Sequence, residues 1–596
     1  MPSIKVKGRE SIIEYTPGSS LMNILLAEEI FVDNPCNGKG LCGKCKIRIT
    51  QNAPEPTKTE LSILTEEELA DGVRLSCMVE PESDMTVELM QKQRKHKVLT
   101  KGYVPVFEFK PDIAKVTAEI HRPTLEDQTP FEDQLKEQTG AEIDDNSLVM
   151  NRLTPGPVTC TIHDGKIIAI EMEDTTDKLY GVAIDIGTTT VVCSLIDMIT
   201  GEELSNASMI NAQKHYGLDV LTRITYELEN PEDGIKNLQK SLVDSINDMI
   251  YEACDDADVD PAYIYEISIG ANCTMMHTLL GVDATPIGKA PFAPVFVKAR
   301  DVAASSIGIK CAQGTRLYCL PSVSAYIGAD IVAGAYVCDL HHKSGNTLFI
   351  DIGTNGEIVL SRAGKLLSCS CAAGPALEGM NISSGMRAAA GAIEDVVISE
   401  DGVSIKVIGD EEPAGVCGSG ILAVVKELVK HGFVRPNGAF VKCEKIKDDD
   451  YRKSMLRADA DGKREFIMTT SPELLITQGD VRQVQLAKGA ILSGFTALLR
   501  KAGIEMSDLD EVLIAGQFGA HLPTESMTGT GILPEEVGDK LKYVGNSSKT
   551  GAYMALMSSD VKKEMEELAH HMDYMELGAT ENYERLFAEC LMFPKA

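Results

Sequence analysis

The pentapeptide Ile-Asp-Ile-Gly-Thr occurs twice in this chain, at 184–188 and again at 350–354. The first copy reads GVAIDI, GTTT, VVCSLID, and the second TLFIDI, GTNG, EIVLS. Short apolar runs bounded by Gly and Thr read as buried strands joined by a tight polar corner. A carboxylate at the end of such a strand is costly to bury unless it meets a cation. Beside phosphates that cation is usually magnesium, often bound through water. Glycine lets the backbone approach a phosphate, while Thr hydroxyls and corner N–H groups supply donors. Two such corners facing each other would clamp one polyphosphate from both sides, which gives the duplication a geometric reason. The candidates are Asp185 and Asp351 for Mg2+ or water, and Gly187, Thr188, Thr189, Gly353, Thr354, Asn355 and Gly356 for phosphates.

A second constraint stands well upstream. Cys36, Cys42 and Cys45 form C-x5-C-x2-C in the stretch CNGKGLCGKC, and Cys77 follows. Around them SIKVKG and ESIIEYTPG read as a strand hairpin, and SSLMNILLAEE as a helix with Leu21, Ile24 and Leu25 on one face. CKIRIT and MTVELM read as further strands, an order that fits a ubiquitin-like β-grasp. Gly38, Gly40 and Gly43 let the loop aim N–H groups at sulfur, and the fourth thiolate arrives from a distant strand. Four thiolates suit an iron–sulfur cluster or zinc. Zinc usually takes paired C-x2-C knuckles; the three-plus-one spacing resembles that of 2Fe–2S ferredoxins, in the adrenodoxin-type variant.

A chain of 596 residues predicts several domains. A net charge of −32 argues against nucleic acid and against anionic membrane surfaces. The opening MPSIKVKGRESIIEY lacks the apolar core of a signal peptide, and no apolar run is long enough to span a bilayer, so a cytoplasmic location is expected. There the 16 cysteines should be thiols or metal ligands rather than disulfides. The basic stretch 91–102 reads as a linker and 103–178 as a small α+β middle domain without an assignable motif.

The two corners resemble the phosphate-1 and phosphate-2 motifs of the superfamily of actin, sugar kinases, acetate kinase and heat-shock chaperone ATPases. That resemblance implies a duplicated, ribonuclease H-like ATP-binding fold over 179–596. It assigns Gly418, Ser419 and Gly420 of VCGSGILAVVKELVKHG to a connecting segment and ISIGANCTMMHTLLG to the first one. It assigns Gly516, Gln517, Phe518 and Gly519 of EVLIAGQFGAHL to adenosine. GNSSKTG at 545 has its lysine before the wrong glycine for a P-loop and reads as a helix start.

A narrower resemblance covers nearly the whole chain. A 2Fe–2S domain (1–90), linker, middle domain and ATPase bearing NAQKHYGLDVLTRI and CAAGPALEGMNISSGMRAAAGAI resemble the ATP-dependent reductive activators of corrinoid proteins. Only Cys590 lies in the final 40 residues, unlike relatives with C-terminal 4Fe–4S domains. The resemblance implies one-electron reduction of cob(II)amide to cob(I)amide in an anaerobic methyltransferase system, such as O-demethylation. The cofactors implied are a 2Fe–2S cluster, ATP and Mg2+. The partners implied are a corrinoid (cobalamin-binding) protein and an upstream low-potential electron donor; a homodimer is left open. The rival readings are a sugar- or acid-kinase with a regulatory cluster, an activator of 2-hydroxyacyl-CoA dehydratases, and a ferredoxin on an actin-like scaffold. Cys369 and Cys371 are expected to be packed thiols, His341–His342 and His570–His571 solvated surface whose adjacent rings point apart, and the Met-rich tail helical core.

Overall fold

The computed structural model describes the chain apart from residues 1, 8–11, 16–17, 28–29, 31, 33–42, 44, 91–102, 145–150, 152, 460–461, 517–521 and 596. The expected linker therefore lies outside the described residues. The chain divides into two compact units, Met1–Lys97 with Glu378–Val424 and Lys442–Gln483, and Val98–Leu377 with Val425–Val441 and Val484–Ala596. Among the described residues no helix is long and apolar enough to cross a membrane.

The first unit opens with strands β1 (Ser3–Val6), β2 (Ile12–Glu14), β3 (Lys46–Gln51), β4 (Val73–Leu75) and β5 (Met85–Leu89), in the order β2-β1-β5-β3-β4. Only β1 and β5 run parallel. Helix Leu21–Ala27 lays Leu21, Ile24 and Leu25 into a core with Ile4, Ile47, Leu75 and Val87, so the expected β-grasp is present. The same unit holds two small sheets, Ala392–Ser399 with Gly402–Val407 and Gly415–Val416, and Leu456–Ala458 with Arg464–Thr470 and Glu473–Thr477.

The second unit begins with an extended strap. The stretch from Tyr103 to Ile120 alternates like strand, yet over Tyr103–Lys110 only Lys110 forms a bridge, to Ser558. Pro105 lacks a donor N–H, and Val104 and Val106 face solvent, so no ladder forms. Next come β6 (Ile113–Ile120), β7 (Glu142–Ile143), β8 (Gly156–His163) and β9 (Lys166–Glu171), in the order β6-β8-β9-β7. Helix Phe131–Thr139 covers one part of this sheet through Leu135, while Ile113, Ile168 and Ala169 join the core of the sheet that follows.

That next sheet contains β10 (Tyr180–Ile186), β11 (Thr190–Asp197), β12 (Glu203–Ile210), β13 (Ile264–Ala271), β14 (Arg300–Ala303) and β15 (Arg316–Cys319), ordered β12-β11-β10-β13-β15-β14. The last sheet contains β16 (Asn346–Ile352), β17 (Gly356–Arg362), β18 (Lys365–Cys371), β19 (Glu511–Ala515), β20 (Leu541–Gly545) and β21 (Asp573–Tyr574), ordered β20-β19-β16-β17-β18-β21. In each, a three-strand antiparallel meander is extended on the far side of its first strand by two parallel strands. The repeated pentapeptide is thus the visible remnant of a duplicated sheet. Only the sixth strands differ, β14 antiparallel to β15 and β21 parallel to β18.

Candidate functional site

The thiol site forms at one end of the β-grasp sheet. β3 and β4 are antiparallel with Lys46 opposite Leu75, so Cys45, just before β3, and Cys77, just after β4, leave the same end. Their Sγ atoms stand 3.2 Å apart and both side chains are buried. The backbone N–H groups of Leu21 and Met22 donate to the Val79 and Ser76 carbonyls, pinning the Cys77 segment to the helix start. Gly43 lies at φ +62°, where a Cβ would stand 2.7 Å from Ile63 Cγ2. Only glycine fits that turn. The hydrogen bond between the two thiols holds Cys45 down to about 6, against burial, which raises it. Adjacent buried sulfurs with one held near its thiolate form are the donor chemistry an iron–sulfur cluster needs. Cys36 and Cys42 lie outside the described residues.

The two corners close alike. Gly187 N–H donates to the Thr190 carbonyl and Gly353 N–H to the Asn355 carbonyl, each at 2.9 Å. The first is braced from outside: Asn211 Nδ2 donates to the Gly187 carbonyl at 2.8 Å and Asn272 Nδ2 to Thr188 Oγ1 at 3.0 Å. Buried Arg223 donates to the Thr188 carbonyl. Gly374 N–H braces the second through the Thr354 carbonyl at 2.8 Å. Three helices start beside the first corner: Cys273–Leu280 after Asn272, Ala329–Val337 after Gly328, and Ser547–Met557 after Asn546. Converging N-termini favour an anion between them.

Asp185 is gripped by the last of these helices. Its Oδ2 accepts from Asn546 Nδ2 at 2.8 Å and its Oδ1 from Ser548 Oγ at 2.7 Å. Across the cleft, Gly516 leaves β19 at φ +89°, where a Cβ would fall 2.5 Å from Asp351 Oδ1. Only glycine lets the chain pass that carboxylate. Two further acids join these: Asp330, in the first turn of helix Ala329–Val337, and Glu357, directly opposite Asp351 in the β16–β17 ladder.

All four carboxyls titrate high. Burial pushes Asp351 to about 7 and Asp330 to about 8, the neighbouring acids adding to both. Burial also raises Asp185 and lifts Glu357 well above its usual value; Ser548, Asn546 and Lys549 oppose the rise at Asp185. Four like charges in one enclosure are stable together only around a cation. The carboxylates do not close into a direct ligand cage. Among the described residues, the groups of three whose ligand atoms lie within 4.8 Å of one another are Asp339–His341–His342 and Asp112–His163–Glu266. A cation held through its own water shell suits that spacing.

Several expectations need adjustment. Gly356 is buried against Cys371, whose Sγ would lie 2.8 Å from a Cβ there. Cys371 and Cys369 are buried, with their thiols toward the carbonyls of Gly356 and Gly494, as packed thiols should be. Gly418, Ser419 and Gly420 start helix Gly418–Lys430; a Cβ on Gly420 would stand 2.1 Å from the Ile393 carbonyl. Gln517, Phe518 and Gly519 lie outside the described residues. Lys549 turns away from the cleft to Ser194 Oγ at 3.0 Å and the Glu203 carboxylate at 3.2 Å. His570 and His571 are exposed; in the tail Met572 and Phe593 are buried, whereas Met592 is half-exposed, so the tail is core only in part. His341 and His342 do not point apart. In the tight turn Leu340–His342 their ring centroids come within 3.9 Å. Sequence reasoning missed Asp330, Glu357, Asn546 and Ser548; only Glu357 left a signal, a second acid in register within the duplicated hairpin.

The duplicated sheet with paired corner aspartates defines an ATPase of the actin and sugar-kinase class, here preceded by a ferredoxin-type domain. Family models agree: a 2Fe-2S iron-sulfur cluster binding domain matches 4–82, the RACo middle region 180–343, and the C-terminal, ASKHA domain of RACo 345–596. A solved structure of a reductive activator for corrinoid, iron-sulfur protein is 30% identical and aligns over 100% of this chain and 99% of that one, with a TM-score of 0.72. The corrinoid activation enzyme RamQ of Eubacterium limosum is 34% identical over 388 residues, 64% of this chain. The chain spans 65% of that relative's length. A Co(II) methylated amine-specific corrinoid protein reductase of Methanosarcina barkeri is 23% identical over 447 residues, 69% of this chain and 76% of that protein. The chain belongs to the reductive activators of corrinoid proteins.

Proposed function

We propose that the chain uses ATP to drive the one-electron reduction of a corrinoid protein, from cob(II)amide to methyl-accepting cob(I)amide. One observation carries this reading: a buried thiol pair suited to a redox cluster and an acid-lined two-corner cleft suited to a nucleotide occur in one chain. A chain needs both when electron transfer runs uphill; a shortfall of about 100 mV disfavours a one-electron step about 50-fold. The similar proteins above, activators and reductases of corrinoid proteins, support the corrinoid partner.

When bound, a 2Fe–2S cluster supplies single electrons and Mg2+ shields the phosphates of ATP. Cys45 and Cys77, with Cys36 and Cys42, hold the former. Asp185, fixed by Asn546 and Ser548, and Asp351, beside Gly516, orient the water shell of the latter. Thr188, Thr189, Thr354 and the corner N–H groups bind phosphate oxygens. Asp330, whose carboxyl burial pushes up to about 8, would take the proton of the attacking water once a cation favours its ionised form. The partner belongs to an anaerobic methyltransferase system, an upstream low-potential donor reloads the chain, and the setting is cytoplasmic.

The test mixes cluster-loaded protein, a low-potential reductant, Mg·ATP and a cob(II) corrinoid protein, and follows the cob(I) absorption band. A cob(I) yield no higher than in the nucleotide-free control would refute the reading.

A further inference from the structure

The segment that joins the two duplicated sheets carries its own ligand set. Helix Ala329–Val337 ends, Asp339 takes a left-handed φ of +54°, the turn Leu340–His342 follows, and β16 begins at Asn346. His342 Nδ1 stands 2.7 Å from Asp339 Oδ1, and His341 Nδ1 stands 3.9 Å from the same oxygen. His341 Nδ1 is buried and, among the described residues, has no hydrogen-bond partner. An orphaned buried acceptor of this kind calls for a water or an ion. The His341 ring stacks on Tyr336 at 5.7 Å between centroids, and the Tyr336 hydroxyl donates to Glu564, so this ligand is fixed in orientation.

We propose that Asp339, His341 and His342 bind a nitrogen-preferring divalent metal of the zinc class at this junction. Tetrahedral ligands about 2.0–2.2 Å from Zn2+ are about 3.3–3.6 Å apart. The 2.7 Å contact would open and the 3.9 Å gap close by about 0.6 Å each to reach that spacing. Two imidazoles and one carboxylate favour Zn2+, Co2+ or Ni2+ over Mg2+, which prefers oxygen ligands. Solvent supplies the fourth position, since Asp339 and His342 are exposed. The site is distinct from the nucleotide cleft, yet it lies on the connection between Asp330, in the first turn of helix Ala329–Val337, and Asp351, near the end of β16. A metal here would stiffen that connection.

The experiment is isothermal titration of the cluster-loaded protein with Zn2+, then with Mg2+, while the visible spectrum of the cluster is monitored. The expected result is one Zn2+ site with the spectrum unchanged, weakened at least tenfold in Asp339→Asn and in His342→Ala, with no competing Mg2+ binding. Both substituted side chains are exposed, and thermal melts verify folding of each variant. No Zn2+ uptake by the parent protein would reduce the trio to a plain Asp–His contact and overturn the proposal. Equal affinity in both variants, or Zn2+ uptake that bleaches the cluster, would overturn it as well.

Discussion

Ser548→Ala is the sharpest probe of the nucleotide cleft, because it removes one hydroxyl and leaves every strand in place. Ser548 Oγ donates to Asp185 Oδ1 at 2.7 Å, and Asn546 keeps the other oxygen at 2.8 Å. A hydrogen bond to an ionised group contributes about 1.5–3 kcal/mol. With Asn546 still in place the lower end applies, which is about a tenfold loss in Mg·ATP-dependent turnover. The sign of the pH effect follows from which form the hydroxyl favours. Burial raises the Asp185 pKa and Ser548 holds it back, so the variant's carboxyl protonates more readily. The acid limb of the hydrolysis profile should move to higher pH. The assay is steady-state ATP hydrolysis from acid to mildly alkaline pH, with the cluster spectrum as a folding check. A variant whose rate and acid limb both match the parent protein would show that Asp185 needs no such support and that the cleft has been misread.

Asp351→Asn should lower ATP hydrolysis about a hundredfold while leaving the cluster spectrum intact, as kinetics and absorption spectra will show. Cys77→Ser should do the reverse, abolishing the 2Fe–2S spectrum and cob(I) formation with ATP binding retained; normal iron content would contradict it. Lys562→Met strands Glu266, which is fully buried and already pushed to about 7 by burial. Removing one partner of a buried pair costs about 3–5 kcal/mol. A folded-state pKa raised above the unfolded one means stability present at low pH and lost as pH rises through the folded value. The variant should therefore melt lowest above pH 7 and recover in acid, and Glu266→Gln in the same chain should restore it; a pH-independent melting loss would count against this.

The duplication was legible because each copy puts its aspartate in the same short window. Strand, corner and return strand are local, so periodicity and one glycine reveal them. The β-grasp was legible for the same reason, since Leu21, Ile24 and Leu25 lie on one helical turn. What sequence could not give was convergence. Asn546 and Ser548 reach Asp185 from more than 360 positions away, across a ladder whose partners are set only by the fold. GNSSKTG did prove to be a helix start, yet nothing local marks its first turn as the clamp on the Asp185 carboxylate. Tyr103–Phe109 failed in the opposite way. Its alternation satisfies a strand template, but Pro105 and the fully exposed Val106 leave it a strap held at single points. His341 and His342 misled because a tight turn does not obey strand or helix geometry.

The acid cleft itself suggests how nucleotide binding is converted into a change of state. Without a cation, burial raises the pKa of Asp185, Asp330, Asp351 and Glu357, and neighbouring acids add to the rise at Asp330, Asp351 and Glu357. Asp185 stands on one sheet and Asp351 on its duplicate, so the repulsion acts between the two copies. Mg·ATP bound between them, as proposed above, would offset that repulsion and favour approach of the copies. A ligand shifts an equilibrium only by its differential affinity for the two states. Here that difference is built from charge on opposite walls, which a single-copy site could not supply. On the proposed function, duplicating the aspartate corner would let nucleotide move one sheet against the other, and that motion is what an uphill electron transfer would be coupled to.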